Sequence, residues 1–148
     1  MAALDALARR DYASDDLRRK LVDKGYDAQV VAPLLDQLRA EKLLDDRRYT
    51  ENFVTYHAAR GQGPLRVRGE LRRKGLEGRL VEQCVHAYAE WLGQLRKARE
   101  KKFGAQLPDG FADQQRQSKF LRYRGFTGAQ IRQALGFDID LESDNEDT

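Results

Sequence analysis

Apolar positions recur along this chain at helical spacing, and the pattern itself repeats. Leu21, Lys24, Gly25 and Tyr26 are matched 50 residues later by Leu71, Lys74, Gly75 and Leu76, and again by Leu121, Arg124, Gly125 and Phe126. After each glycine the register holds: Val31, Val81 and Ile131 coincide, then Leu35, Val85 and Leu135. A leucine, a cation, a glycine and an apolar residue in fixed order, followed by an apolar stripe, mark one supersecondary unit used three times. Such arrays offer an extended surface rather than one deep catalytic pocket.

Within the first unit, Leu4, Leu7 and Ala8 begin a helix that ends near Arg10. Ser14 is placed to cap a second helix, with Asp15 and Asp16 in its first turn facing the positive end of the dipole. Gly25 then falls where a helix end needs positive φ. Asp27 caps a third helix with the stripe Val30, Val31, Leu34, Leu35 and Leu38. Pro33 inside it predicts a later start or a bend. In the second unit, Asp45 and Asp46 open a helix carrying Tyr49, Phe53, Val54 and His57, and Pro64 fits the first turn of the next. A third helix carries one stripe, Leu80, Val81, Cys84, Val85, Tyr88 and Leu92. The last unit reads as a helix from about Leu92 to Phe103, a loop to Gly110, a helix ending at Gly125, and a short helix from Thr127 to Gly136. Tyr26 and Phe126 are expected to plug helix junctions, and Trp91 to pack between units. No strand pattern stands out, so the predicted fold is all-α. Its units span residues 1–43, 44–91 and 92–137, and residues 138–148 form an acidic tail expected to be disordered.

Charge changes this picture. The net charge is +3, but residues 138–148 hold six acids and no Lys or Arg; residues 1–137 therefore carry 27 cations against 18 acids, a net +9. Residues 60–79 hold seven cations against Glu70 and Glu77, and residues 114–137 hold no acid at all. That density implies attraction to a polyanion. The candidate contact residues are Arg66, Arg68, Arg72, Arg73, Lys74 and Arg79 in the second unit, and Lys119, Arg122, Arg124 and Arg132 in the third. Arg19, Lys20 and Lys24 are the first-unit counterpart. Arginine forks take two hydrogen bonds from a carboxylate or phosphate, so the set suits either partner.

Catalytic chemistry finds little footing. His57 aligns with Leu7 and is expected to pack at the core edge. Cys84 and His86 sit two residues apart, on different helix faces, and Cys84 takes the apolar slot of Leu34. No cluster of His, Cys and acids suits a metal, and no phosphate-binding glycine loop is present. The expectation is a non-enzymatic protein with no cofactor and no metal. No stretch reaches the roughly 20 apolar residues of a membrane span. A lone cysteine and the lack of a secretory leader suggest the cytoplasm.

Four segments together resemble the RecX family, bacterial regulators of the RecA recombinase. They are Leu7 to Tyr12 with Leu17 to Leu21; Leu44 to Tyr49 with Phe53 and Val54; Gly63 to Val67 with Glu70 to Gly75; and Phe120 to Phe126 with Ile131. The resemblance covers nearly the whole chain. It implies three tandem three-helix repeats in an elongated, curved array, each distantly like a winged-helix domain without its wing. It also implies a monomer that binds along the groove of the RecA–DNA filament and suppresses recombinase and co-protease activity. The Leu107–Gly110 loop and the acidic tail depart from the family pattern. The alternative reading is a sequence-independent DNA-binding helical module.

Overall fold

The computed structural model describes residues 2–136; the tail over 138–148 lies outside the described residues. These residues form nine α-helices and no strand. The first unit comprises α1 (Ala2–Arg9), α2 (Ser14–Asp23) and α3 (Ala28–Ala40). The second comprises α4 (Asp46–Ala59), α5 (Pro64–Arg73) and α6 (Gly78–Ala87). The third comprises α7 (Trp91–Phe103), α8 (Phe111–Tyr123) and α9 (Gly128–Leu135). The architecture is all-α with three-helix repeats, as the sequence predicts.

The repeat pattern has a direct physical basis. Leu21, Leu71 and Leu121 are buried, as are Val31, Val81 and Ile131 after them. The glycines between take φ of 102°, 82° and 101°, which only glycine adopts without strain. Each ends its helix and turns the chain into the next. Asp27 caps α3 by accepting from the Gln29 N–H at 2.9 Å. Thr127 and Gln130 form a reciprocal capping box on α9.

Three local expectations are corrected, and the choice at Pro33 is narrowed. Ser14 is the first residue of α2, not its cap; its N–H donates to Asp46 Oδ1 at 2.8 Å, so an acid of the second unit caps the first unit's helix. Pro33 lies inside α3, which nonetheless starts at Ala28. The stripe from Leu80 to Leu92 is two helices. Tyr88 is extended, and the Val85 carbonyl, orphaned where α6 ends, accepts instead from the Trp91 indole at 3.0 Å. Trp91 itself is buried at the junction. Phe126 is buried, but Tyr26 is 49% exposed.

The last difference follows from how the units join. The middle helices meet end to end. At one junction the N–H groups of Gly63 and Leu65, at the start of α5, donate to the Arg124 and Gly125 carbonyls at the end of α8, at 2.7 and 3.0 Å. At the other, Gly75 at the end of α5 lies against the Asp15 carboxylate at the start of α2. Among the described residues nothing docks on Gly25, where a Cβ would meet open space. Tyr26 is exposed because no described unit covers that end.

Candidate nucleic-acid interface

The predicted cations begin with α5 and its flank. Arg66 Nε lies 3.6 Å from Glu70 Oε1 along the helix. Glu82 of α6 folds back on α5 and contacts both Arg68, at 2.6 Å, and Arg72, at 2.9 Å. Lys74 reaches the first unit and donates to Asp16 Oδ2 at 3.4 Å. Arg73 and Arg79 are exposed, with no ion pair among the described residues. The α5 set is thus partly neutralised by the protein itself.

In the third unit, Lys119 is exposed, while Arg122 and Arg132 are half-buried. Arg124 is half-buried with its guanidinium 5.2 Å from the Phe120 ring centre. In the first unit, Arg19 pairs with Asp15 at 3.0 Å, Lys20 donates to the Tyr12 hydroxyl at 2.8 Å, and Lys24 is exposed. Tyr123, between Arg122 and Arg124, is 79% exposed.

The structure brings Arg124 together with cations outside the predicted set. A cleft of about 300 Å³ opens between the end of α4, α7 and α8. Arg60, Lys97, Lys101, Lys102 and Arg124 line it, and among the described residues no carboxylate does. The signal was present in the sequence: Gln94, Lys97, Ala98 and Lys101 follow the spacing of one helix face. The repeat register of the middle helices does not point to it, because these cations lie on α7. A second, more open hollow of about 550 Å³ gathers Arg10, Lys20 and Lys24 around Tyr12, but Asp16 and Asp23 also line it. Lys20 and Arg10 hold the Tyr12 hydroxyl below its ordinary value, the Lys20 hydrogen bond acting most strongly.

Cys84 and His57 are packing groups. Cys84 is buried, and burial pushes its thiol above the ordinary range, whereas His86 is exposed. His57 stacks on Phe53 with ring centres 4.0 Å apart, and burial lowers its pKa. Among the described residues no three His, Cys, Asp or Glu gather in a group able to hold a metal. No described helix is long and apolar enough to cross a membrane.

Comparison with known proteins fits this arrangement. Residues 1–38, 45–85 and 89–135 match, in order, the first, second and third three-helix domains of RecX. The chain belongs to the RecX family. The regulatory protein RecX of Halorhodospira halophila is 42% identical over 134 residues, spanning 90% of this chain and 83% of that protein. RecX of Pseudomonas fluorescens is 37% identical over 140 residues, spanning 93% and 90%. The crystal structure of RecX from Lactobacillus salivarius superposes with a TM-score of 0.78 at 18% identity, covering 91% of this chain and 90% of that one. A second RecX crystal structure gives 0.72 at 20% identity, covering 90% and 68%. At such identity these two structures speak to the RecX fold, while the sequence relatives carry its regulatory role.

Proposed function

We propose that this chain binds the RecA–DNA filament and restrains the recombinase and co-protease activities of RecA, acting as a monomer in the cytoplasm. Membership of the RecX family supports the reading. The observation that carries it is the end-to-end line of α8, α5 and α2, which sets three similar units in a row with cations on each. A row of units suits a long, repetitive partner better than a small ligand.

The contact set comprises Arg66, Arg68, Arg72, Arg73, Lys74, Arg79, Lys119, Arg122, Arg124 and Arg132. Arg73, Arg79 and Lys119 are exposed and engage phosphates or RecA acids most readily. Arg68 and Arg72 must first exchange Glu82 for the new partner. The mechanism is steric and electrostatic: a bound array obstructs strand entry and the movements of the filament. No covalent step is involved.

The test is ATP hydrolysis by RecA on single-stranded DNA, titrated with this protein. Inhibition that grows with added protein is expected, with tighter binding to the filament than to the same DNA alone. Equal affinity for both and no inhibition would instead support a plain DNA-binding module, the reading favoured by the carboxylate-free cleft alone.

A further inference from the structure

The cleft between the second and third units gathers five cations, and none of the described residues that line it is an acid. Its five charges come from three places: Arg60 after α4, Lys97, Lys101 and Lys102 on α7, and Arg124 after α8. Several other cations of this chain fold onto nearby acids, Arg68 and Arg72 onto Glu82, Lys74 onto Asp16 and Arg19 onto Asp15, and exposed ones such as Arg73 and Arg79 stand apart rather than gathered in a cleft. Lys97 and Lys101 stand one turn apart on α7, and like charges at that spacing repel. An arrangement that is unfavourable in the empty protein becomes favourable when an anion enters.

The walls also hold their charges in place. Phe120 lies beneath both the Arg124 guanidinium, at 5.2 Å, and the Lys102 ammonium, at 5.9 Å. Phe103 meets Phe120 edge-on at 5.3 Å and fixes its ring. The turn at Gly61 lies beside α7, where a Cβ would sit in ordinary contact with the Ala98 methyl at 3.4 Å. An Arg fork seated on an aromatic face loses less freedom on binding, which favours oxyanions with several acceptors.

We propose that this cleft is a phosphate seat that takes the backbone of a single nucleic-acid strand. The chemistry it reads is the phosphoryl oxygen, which a strand and a free polyphosphate share. Five cations exceed what one carboxylate neutralises, and a cleft of about 300 Å³ is small beside a duplex. The inference rests on the phosphate-binding part of the proposed function but needs no RecA.

The experiment measures binding of a fluorescent oligothymidylate by the full chain without RecA, across a salt series. The cleft variant is Lys97→Gln with Lys101→Gln. The control, Arg9→Gln with Lys42→Asn, removes the same charge from exposed positions of the first unit. We expect the cleft variant to bind about tenfold more weakly at low salt. Its salt slope should fall by about 1.4, at roughly 0.7 per lost single-strand contact. The control should lose less than about threefold. Equal losses in both variants, or none in either, overturn the seat. Should the double variant lose helicity, Arg60→Gln probes the same cleft from another element. Tripolyphosphate binding separates the sources. Weak binding beside the oligothymidylate supports the strand; tight binding that the cleft variant abolishes overturns it in favour of a free polyphosphate. RecA ATP hydrolysis, measured alongside, keeps the two readings apart. Inhibition by wild-type protein with no special loss in the cleft variant's DNA binding sinks the seat and leaves the filament reading standing.

Discussion

Arg99 is 2% exposed, yet no carboxylate lies among its hydrogen-bond partners. Its guanidinium donates to the Gln106 carbonyl at 3.0 Å, the Ala105 carbonyl at 3.4 Å and Gln117 Oε1 at 3.3 Å. A buried cation is tolerable because these dipoles satisfy it, and it ties the 104–110 loop to α8. Arg99→Ala strands those carbonyls and should cost about 2–4 kcal/mol in urea denaturation, with faster proteolysis of the loop. His57 makes a second prediction. Burial lowers its pKa from the ordinary 6.5, and its Nδ1 lacks a partner. The unfolded chain therefore takes up the proton more readily than the folded one. Stability from neutral His57 is complete above about pH 6.5 and is lost as pH falls through the lowered folded value. Asp15 and Asp113, held below 3.8 chiefly by Arg18 and Arg116, titrate beneath this window. Urea midpoints at pH 7.5 and 5.0 should differ less in His57→Phe than in wild type.

At the scale of the element, three glycines that look alike in sequence sit in different surroundings. All three have positive φ, so any Cβ is strained. At Gly25 it would meet nothing; at Gly75 it would meet the Asp15 carboxylate at 2.6 Å; at Gly125 it would meet the Arg66 backbone N at 2.8 Å. The carboxylate can swing aside, and the backbone of α5 cannot. Substitution to Ala should therefore destabilise least at position 25, by about 1 kcal/mol, more at 75 and most at 125, in thermal or urea melts. An order with Gly25→Ala most damaging would contradict the end-to-end junctions. The same comparison explains what was legible. Helix spans, the stopping glycines and the inner faces follow from local spacing, and the sequence shows them. What a helix end meets does not follow from spacing. Hence the capping of α2 by Asp46, the exposure of Tyr26 and the break at Tyr88 escaped. For the candidate site, the cations were legible as types. Glu82 turning back on α5, and α7 converging with Arg60 and Arg124, depend on tertiary packing.

Across the whole molecule the three units are not joined alike. The second and third share one apolar core, in which Leu71, Val85, Trp91, Leu95, Leu121 and Phe126 pack together. The first has its own, built from Leu17, Leu21, Val31, Leu35 and Leu38. From its helices and their linkers only Ala13 enters the shared core. From the other side Leu44, just before α4, enters the first core, and the side-chain bonds across that junction are polar. Arg48 pairs with Asp11 at 2.9 Å, Lys74 with Asp16 at 3.4 Å, and Ser14 N–H bonds Asp46. Ion pairs this exposed contribute about 0–1 kcal/mol each and weaken with salt, whereas apolar burial does not. The first unit should therefore open at lower free energy than the other two. Native-state hydrogen exchange is expected to show weaker protection for α2 and α3 than for α5, α6 and α8. Raising sodium chloride to about 0.5 M should widen that gap by about 1 kcal/mol, and Asp11→Ala should shrink the salt response, since one screened pair is already gone. Uniform protection across all three units, at either salt concentration, would mean that the polar junction holds as firmly as the shared core.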